Sequence, residues 1–404
     1  MNLAAESPMD AWTRINLEPA LSVASVGAVV AVVATALVAM RGRGGRSGVA
    51  HWQRTLTVLT LFLTLDLVVF GAFTRLTDSG LGCPDWPGCY GESNPWAAHD
   101  DIQQAHAALP SGPVSPAKAW IEMVHRYLAT GVGALLTGLM ALAWWARSRP
   151  GVLGPFWPTV AWIWVCAQGA FGAATVTLKL QPIVVTGHLI GAMLGVGILS
   201  WQVQRVQPLD VARAADANVR ARLLRGTLAV LVVVAVQIAL GAWVSSNYAV
   251  LACAEFPSCQ GQWWPEMDWG GGFHLLRVLG EDGQGGYISL AALTAIHMAH
   301  RMMAGVVTLA LLGWGWALRR HPGYATQGAW LWGLLALQVA SGLSNVVLGW
   351  PLASALAHTL GAALLVWRLV SLWACLVQAS PSFAHVVSTP VRATHSPKPA
   401  AATP

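Results

Sequence analysis

The sequence predicts an all-α polytopic membrane protein: two pseudo-symmetric four-helix transmembrane bundles plus one extra N-terminal transmembrane helix. Three observations predict it. Of 404 residues, 55% are hydrophobic and only 10% charged, against about a quarter charged in a soluble domain. The apolar residues gather into nine runs long enough to cross roughly 30 Å of hydrocarbon. And the chain repeats itself at a shift of about 170 residues.

The nine runs fall near 20–40, 55–75, 121–145, 157–177, 183–203, 227–246, 289–318, 327–349 and 353–376. Lipid leaves no partner for an open backbone group, so each is a helix. Lys and Arg set the orientation. Arg41, Arg43, Arg46, Arg54, Arg147, Arg149, Arg205, Arg213, Arg220, Arg222, Arg225, Arg319 and Arg320 all fall on one side. The opposite loops hold little beyond Arg75, Lys118, Lys179 and Arg277. The arginine-rich side is expected to be cytoplasmic, and this asymmetry accounts for the net charge of +6 without any nucleic-acid partner. The flank before the first run is acidic, with Glu6, Asp10 and Glu18, so it predicts an uncleaved helix with its N-terminus outside.

Shifted by 170 residues, Gly71 falls on Gly241, Cys83 on Cys253, Pro87 on Pro257, Cys89 on Cys259 and Gly91 on Gly261. Gln168, Gly172 and His188 fall on Gln338, Gly342 and His358. Between these blocks a longer loop moves the shift to 175, and His125-Arg126 falls on His300-Arg301. Four helices return the chain to its starting side, so the halves share one orientation about an axis near the membrane normal. The expected organisation is an extra helix and basic turn over 1–50, a first bundle over 51–225, a second over 226–376, and a disordered, Pro-rich cytoplasmic tail over 377–404.

Cys83 and Cys89, like Cys253 and Cys259, each bracket a short loop on the side expected to be oxidising. Either pair reads as a disulfide staple or as a redox-active thiol pair. Cys166 and Cys375 lie in spans and read as small packing residues. His51, His99, His106, His274, His321, His385 and His395 are expected in loops or tails. His125, His188, His300 and His358 lie inside spans as two repeat-matched pairs. Two imidazoles at equal depth on two helices of one bundle suit axial ligation of a heme-like porphyrin. Zinc more often takes a denser cluster with a carboxylate.

Arg126 and Arg301 follow the ligand candidates and could meet propionates, or could snorkel to water. The halves differ at one matched position. Glu122 lies one turn before His125, whereas His297 stands before His300. Glu122 could move protons beside a porphyrin or act as a hydrogen-bond partner. The asymmetry suggests that one half does chemistry and the other holds a permanent heme.

The loop "TRLTDSGLGCPDWPGC" and the segments "EMVHRY", "GHLIGAM", "HMAHRMMAG" and "ALAHTLGAALL" resemble, in this order, the heme A synthase family of cytochrome oxidase assembly. The resemblance covers about 51–376 and departs from the family's eight-helix pattern by the helix at 20–40. It implies an enzyme that converts a methyl group of heme O to a formyl group, by two hydroxylations and loss of water, giving heme A. Carried over, it implies His125 and His188 as ligands of the substrate heme O and Glu122 as the catalytic carboxylate. His300 and His358 would ligate a resident heme b, and Cys83–Cys89 and Cys253–Cys259 would be disulfides on the periplasmic side of a bacterial inner membrane. Heme O synthase and cytochrome oxidase assembly factors are the implied protein partners. Two other classes fit part of the pattern. A non-catalytic diheme cytochrome serving quinone leaves Glu122 without a role, and a membrane disulfide oxidoreductase leaves the histidines unexplained.

Overall fold

The computed structural model describes residues 18–41, 48–209, 216–283 and 285–378. Among these, nine helices are long and apolar enough to span a membrane. They are α1 (Glu18–Arg41), α2 (Val49–Leu76), α4 (Pro116–Trp145), α5 (Phe156–Thr177), α6 (Pro182–Val206), α7 (Ala217–Ser246), α8 (Leu290–Arg319), α9 (Ala325–Val347) and α10 (Leu352–Gln378). A short helix, α3 (His99–Ala108), lies in the first long loop. The protein is thus an all-α polytopic membrane protein. The N-terminal flank and the tail beyond 378 lie outside the described residues.

Local chemistry sets the helix ends. Ser115 caps α4, its hydroxyl accepting from the Lys118 N–H at 3.3 Å, and Pro116 follows where a missing N–H costs nothing. This cap starts α4 five residues before its apolar run. Asp216 caps α7 in the same way, accepting from the Asn218 N–H at 2.7 Å. The helix then carries Arg220, Arg222 and Arg225 ahead of its apolar segment. Hydropathy marks only the apolar part, so the start expected near 227 lies at Ala217. His51, His99 and His106, expected in loops, are helical for a related reason: α2 extends beyond its apolar part, and α3 is amphipathic.

α2, α4, α5 and α6 form the first bundle, and α7, α8, α9 and α10 the second. The halves meet through α2 and α6 on one side and α7 and α10 on the other. Thr186 and Ser246 share a hydrogen bond of 3.0 Å across this seam, and the Trp201 and Trp373 rings lie 5.3 Å apart. Two further contacts mark the symmetry axis. Arg75 Nη2 donates to the Ser245 carbonyl at 2.6 Å, and Tyr248 Oη donates to Asp78 Oδ1 at 2.5 Å. Both pairs are 170 residues apart, so each joins a residue to its own repeat partner, which is possible only on a pseudo-two-fold axis.

α1 stands outside the repeat and packs chiefly on α4. The contact is close because Gly27 has no side chain; a Cβ there would overlap Thr130. The Thr130 hydroxyl lies 3.4 Å from the Val23 carbonyl.

Candidate functional site

Each cysteine pair closes a loop over one end of its bundle. Cys83 is joined to Cys89 and Cys253 to Cys259, both with Cα atoms 4.9 Å apart. Each loop ends in the same turn. Tyr90 and Gly91 have φ of 53° and 75°, and Gln260 and Gly261 have φ of 54° and 74°. Consecutive left-handed residues of this kind make a tight hairpin turn, and glycine at the second place adopts it without strain. Acidic side chains hold the turn from below: Asp85 accepts from the Tyr90 and Gly91 N–H groups at 2.6 and 2.7 Å, and Glu255 accepts from the Gly261 N–H.

Beneath each loop sits an arginine on the helix that carries the first histidine. Arg126 donates to the carbonyls of Pro87, at 3.2 Å, and Gly88. Arg301 donates to the carbonyls of Ser258 at 3.0 Å, Cys253 at 3.2 Å and Glu255 at 2.8 Å. Both guanidiniums, expected either to meet propionates or to snorkel to water, hold the loops from below. Sequence spacing could not reveal this, because the loops fold back over the helices that follow them.

The residue one turn earlier completes each clamp. Glu122 Oε1 pairs with Arg126 Nη2 at 2.6 Å, and its Oε2 accepts from the Cys83 N–H at 2.8 Å. His297 accepts from Arg301 Nε at 3.2 Å through Nε2, which leaves Nδ1 to donate to the Ala249 carbonyl at 3.1 Å. Glu122 is 4% exposed and His297 3%, so each half keeps a buried polar group one turn from its first histidine. Only the first half makes it a carboxylate.

The four histidines occupy repeat-matched seats. Each imidazole lies over a glycine of a neighbouring helix, and a Cβ at that glycine would approach its Cε1. The separation would be 3.1 Å for Gly71 and His125 and 3.6 Å for Gly172 and His188. It would be 2.9 Å for Gly241 and His300 and 3.3 Å for Gly342 and His358. A tight seat of this kind fixes a ring without using its nitrogens.

The ring nitrogens distinguish the halves. His358 Nδ1 is 3.0 Å from the Ser341 hydroxyl, and His300 Nε2 is 3.3 Å from Gln237 Nε2. The matching positions in the first half are Phe171 and Leu67. His125 and His188 accordingly have no hydrogen-bond partner among the described residues; Nδ1 of each is buried, as is the unpartnered Nδ1 of His300, so the halves differ at His300 Nε2 and His358 Nδ1. The Phe70 ring stacks on His125 instead, 6.1 Å between centroids and 7° from parallel. Half-buried imidazoles set two to a bundle, with buried Nδ1 atoms on His125, His188 and His300 that find no partner, fit the axial ligands of a porphyrin. Gln237 and Ser341 escaped the sequence reading, although the same shift that aligned the histidines would have exposed them.

Fold and site together define a class: a repeat-built, multi-pass membrane protein with one half-buried histidine pair per bundle and a disulfide-closed loop over each. The model of the cytochrome oxidase assembly protein family matches residues 54–370. Among similar chains, the heme A synthase of Shewanella oneidensis is 38% identical over 314 residues, covering 78% of this chain and 93% of its own. That of Rhizorhabdus wittichii is 30% identical over 352 residues, covering 81% and 93%, and that of Paracoccus denitrificans 27% identical over 362 residues, covering 83% and 89%. The chain belongs to the cytochrome oxidase assembly protein family that includes these heme A synthases.

Proposed function

We propose that this protein is a heme A synthase, which oxidises the methyl group of heme O to a formyl group. The observation that carries the reading is the division between two otherwise matched histidine pairs. In the second half the Ser341 hydroxyl stands against His358 Nδ1, the kind of outer partner that orients a permanent metal ligand and leaves Nε2 to the metal, and Gln237 lies beside His300. His300 and His358 would hold a resident heme b, which supplies one-electron transfer between the substrate and an external acceptor. His125, with the Phe70 ring stacked on it, and His188 have Leu67 and Phe171 at the positions of Gln237 and Ser341, and would receive heme O, a substrate that must enter and leave.

Glu122 would be the catalytic carboxylate. It is buried one helical turn from His125, and its repeat partner is a histidine. Arg126 and the Cys83 N–H hold it in place, so the carboxylate is positioned before substrate arrives. Oxidising a methyl group releases protons, and Glu122 is the anionic group nearest His125 in sequence able to accept one. The Cys83–Cys89 and Cys253–Cys259 loops act as lids over the two sites. The bundles correspond to the first half to about 225 and the second from 226 to 376, in a bacterial inner membrane with the cysteine loops periplasmic and the C-terminus cytoplasmic. Heme O synthase and assembly factors would act at the membrane-facing first half.

The test is the mass of the extracted pigment after expression with heme O. Heme A is the expected product. Heme O recovered unaltered beside an intact resident heme would leave an electron-transfer protein and overturn the reading.

A further inference from the structure

A cavity of about 240 Å³ lies between α1, α2 and α4, walled by Val30, Leu63, Leu67, Leu128 and Val132. One polar side chain, Asp66, lines it too, on a residue that is itself exposed beside these apolar walls. A carboxyl well inside a spanning helix costs roughly 2.5–3.5 kcal/mol even by insertion scales and is functional by default. Among the described residues, Asp66 has no ion-pair or hydrogen-bond partner. Its repeat partner is Val236, so the second half has no such group.

The cavity adjoins the His125 site. Leu128 and Val132 lie three and seven residues after His125, on the same helical face. Asp66 is one turn before Phe70, whose ring stacks on His125. Leu67 is the repeat partner of Gln237, which touches the His300 ring, so Leu67 stands at the matching place beside His125. The volume falls below the roughly 300–1,000 Å³ of pockets that take a whole drug-sized ligand. It suits part of a molecule whose remainder sits at the histidines.

We infer that this cavity receives the hydroxyl-bearing hydrocarbon tail of the substrate porphyrin, with Asp66 accepting a hydrogen bond from the tail hydroxyl. Val30 of α1 forms one wall, so the helix outside the repeat completes a substrate subsite. The inference rests on heme O being the substrate of the first half. Asp66 makes the site selective for a tailed porphyrin over heme b, which has no tail.

Binding tests this apart from turnover. The full-length protein carrying its resident heme is titrated with heme O and with heme b, followed in the Soret band. The unsubstituted protein binds heme O more tightly. Asp66→Val weakens heme O binding by about tenfold, the worth of one hydrogen bond to a charged group, and leaves heme b binding unchanged. Asp66→Asn, which keeps an acceptor oxygen, retains most of the preference. Leu63→Phe, which narrows the cavity from its apolar wall, produces the same selective loss. An unchanged resident-heme spectrum shows that each variant is folded. Equal affinity of the unsubstituted protein for both porphyrins, or an equal loss of both in Asp66→Val, overturns the inference. So does a phospholipid or quinol that copurifies with the unsubstituted protein and is lost from Asp66→Val. Failure of heme O conversion by the unsubstituted protein would instead refute the synthase reading.

Discussion

Ser341 Oγ lies 3.0 Å from His358 Nδ1, and the residue in its place beside His188 is Phe171. One half of a duplicated fold therefore sets a polar partner on its histidine while the other carries an apolar residue at that position. Outer partners of metal-bound histidines are typically worth about 10–100-fold in affinity. Ser341→Ala should lower retention of the resident heme by that order, seen as heme lost on dilution in detergent. Phe171→Ala should not lower it. Equal heme loss from both variants would contradict the assignment of the resident heme to the second half.

The glycine seats make a prediction with an internal control. A Cβ at Gly241 would stand 2.9 Å from His300 Cε1, closer than real Cβ contacts come, whereas at Gly172 it would stand 3.6 Å from His188, an ordinary contact. Gly241→Ala should displace the His300 ring and lower or shift the resident Soret band. Gly172→Ala should be tolerated, with pigment yield within about twofold of the unsubstituted protein. An unperturbed Soret band in Gly241→Ala would show that the seat does not constrain the ring.

Glu122 has two roles to separate, because it also neutralises Arg126 under the loop. Removing one partner of a buried pair costs about 3–5 kcal/mol. Glu122→Gln, which keeps one acceptor, should lower the melting temperature by less than Glu122→Ala does, and should stall heme O before the aldehyde. Glu122→Gln/Arg126→Gln removes both charges, so it should recover stability without recovering heme A. Heme A formation by the double variant would reduce Glu122 to a loop anchor.

The disulfide loops are held by more than their sulfurs. The Cys83 N–H is bound by Glu122 and the Gly88 carbonyl by Arg126. Closing so short a loop adds roughly 2 kcal/mol in the chain-entropy model. Cys83→Ser/Cys89→Ser should therefore lose thermal stability and keep partial heme A synthesis. A folded, heme-loaded variant without any turnover would favour redox-active thiols.

Much of the fold and the histidine quartet was legible in the sequence, because lipid forces apolar runs into helices and a duplicated chain aligns its own special residues. The shift of 170 that paired Cys83 with Cys253 also pairs Arg75 with Ser245 on the symmetry axis. Such a contact between unlike residues leaves no pattern to find. Asp66 escaped the sequence reading: it is a lone charge in an apolar run, and the cavity it lines exists only where α1 packs beside α2 and α4. The clamp formed by Arg126 and Arg301 was hidden for the reason that loops fold back over distant helices. Helix starts at Pro116 and Ala217 were hidden because capping and amphipathic extensions carry no hydropathy.

The central claim is that the two halves divide the labour, substrate porphyrin in the first and resident heme in the second. Pigment mass and Soret spectrum, measured together on His188→Ala and His358→Ala expressed with heme O, test it most directly. His188→Ala should keep the resident heme b and yield no heme A, while His358→Ala should lose the resident heme. Loss of heme b from His188→Ala with retention in His358→Ala would contradict the account.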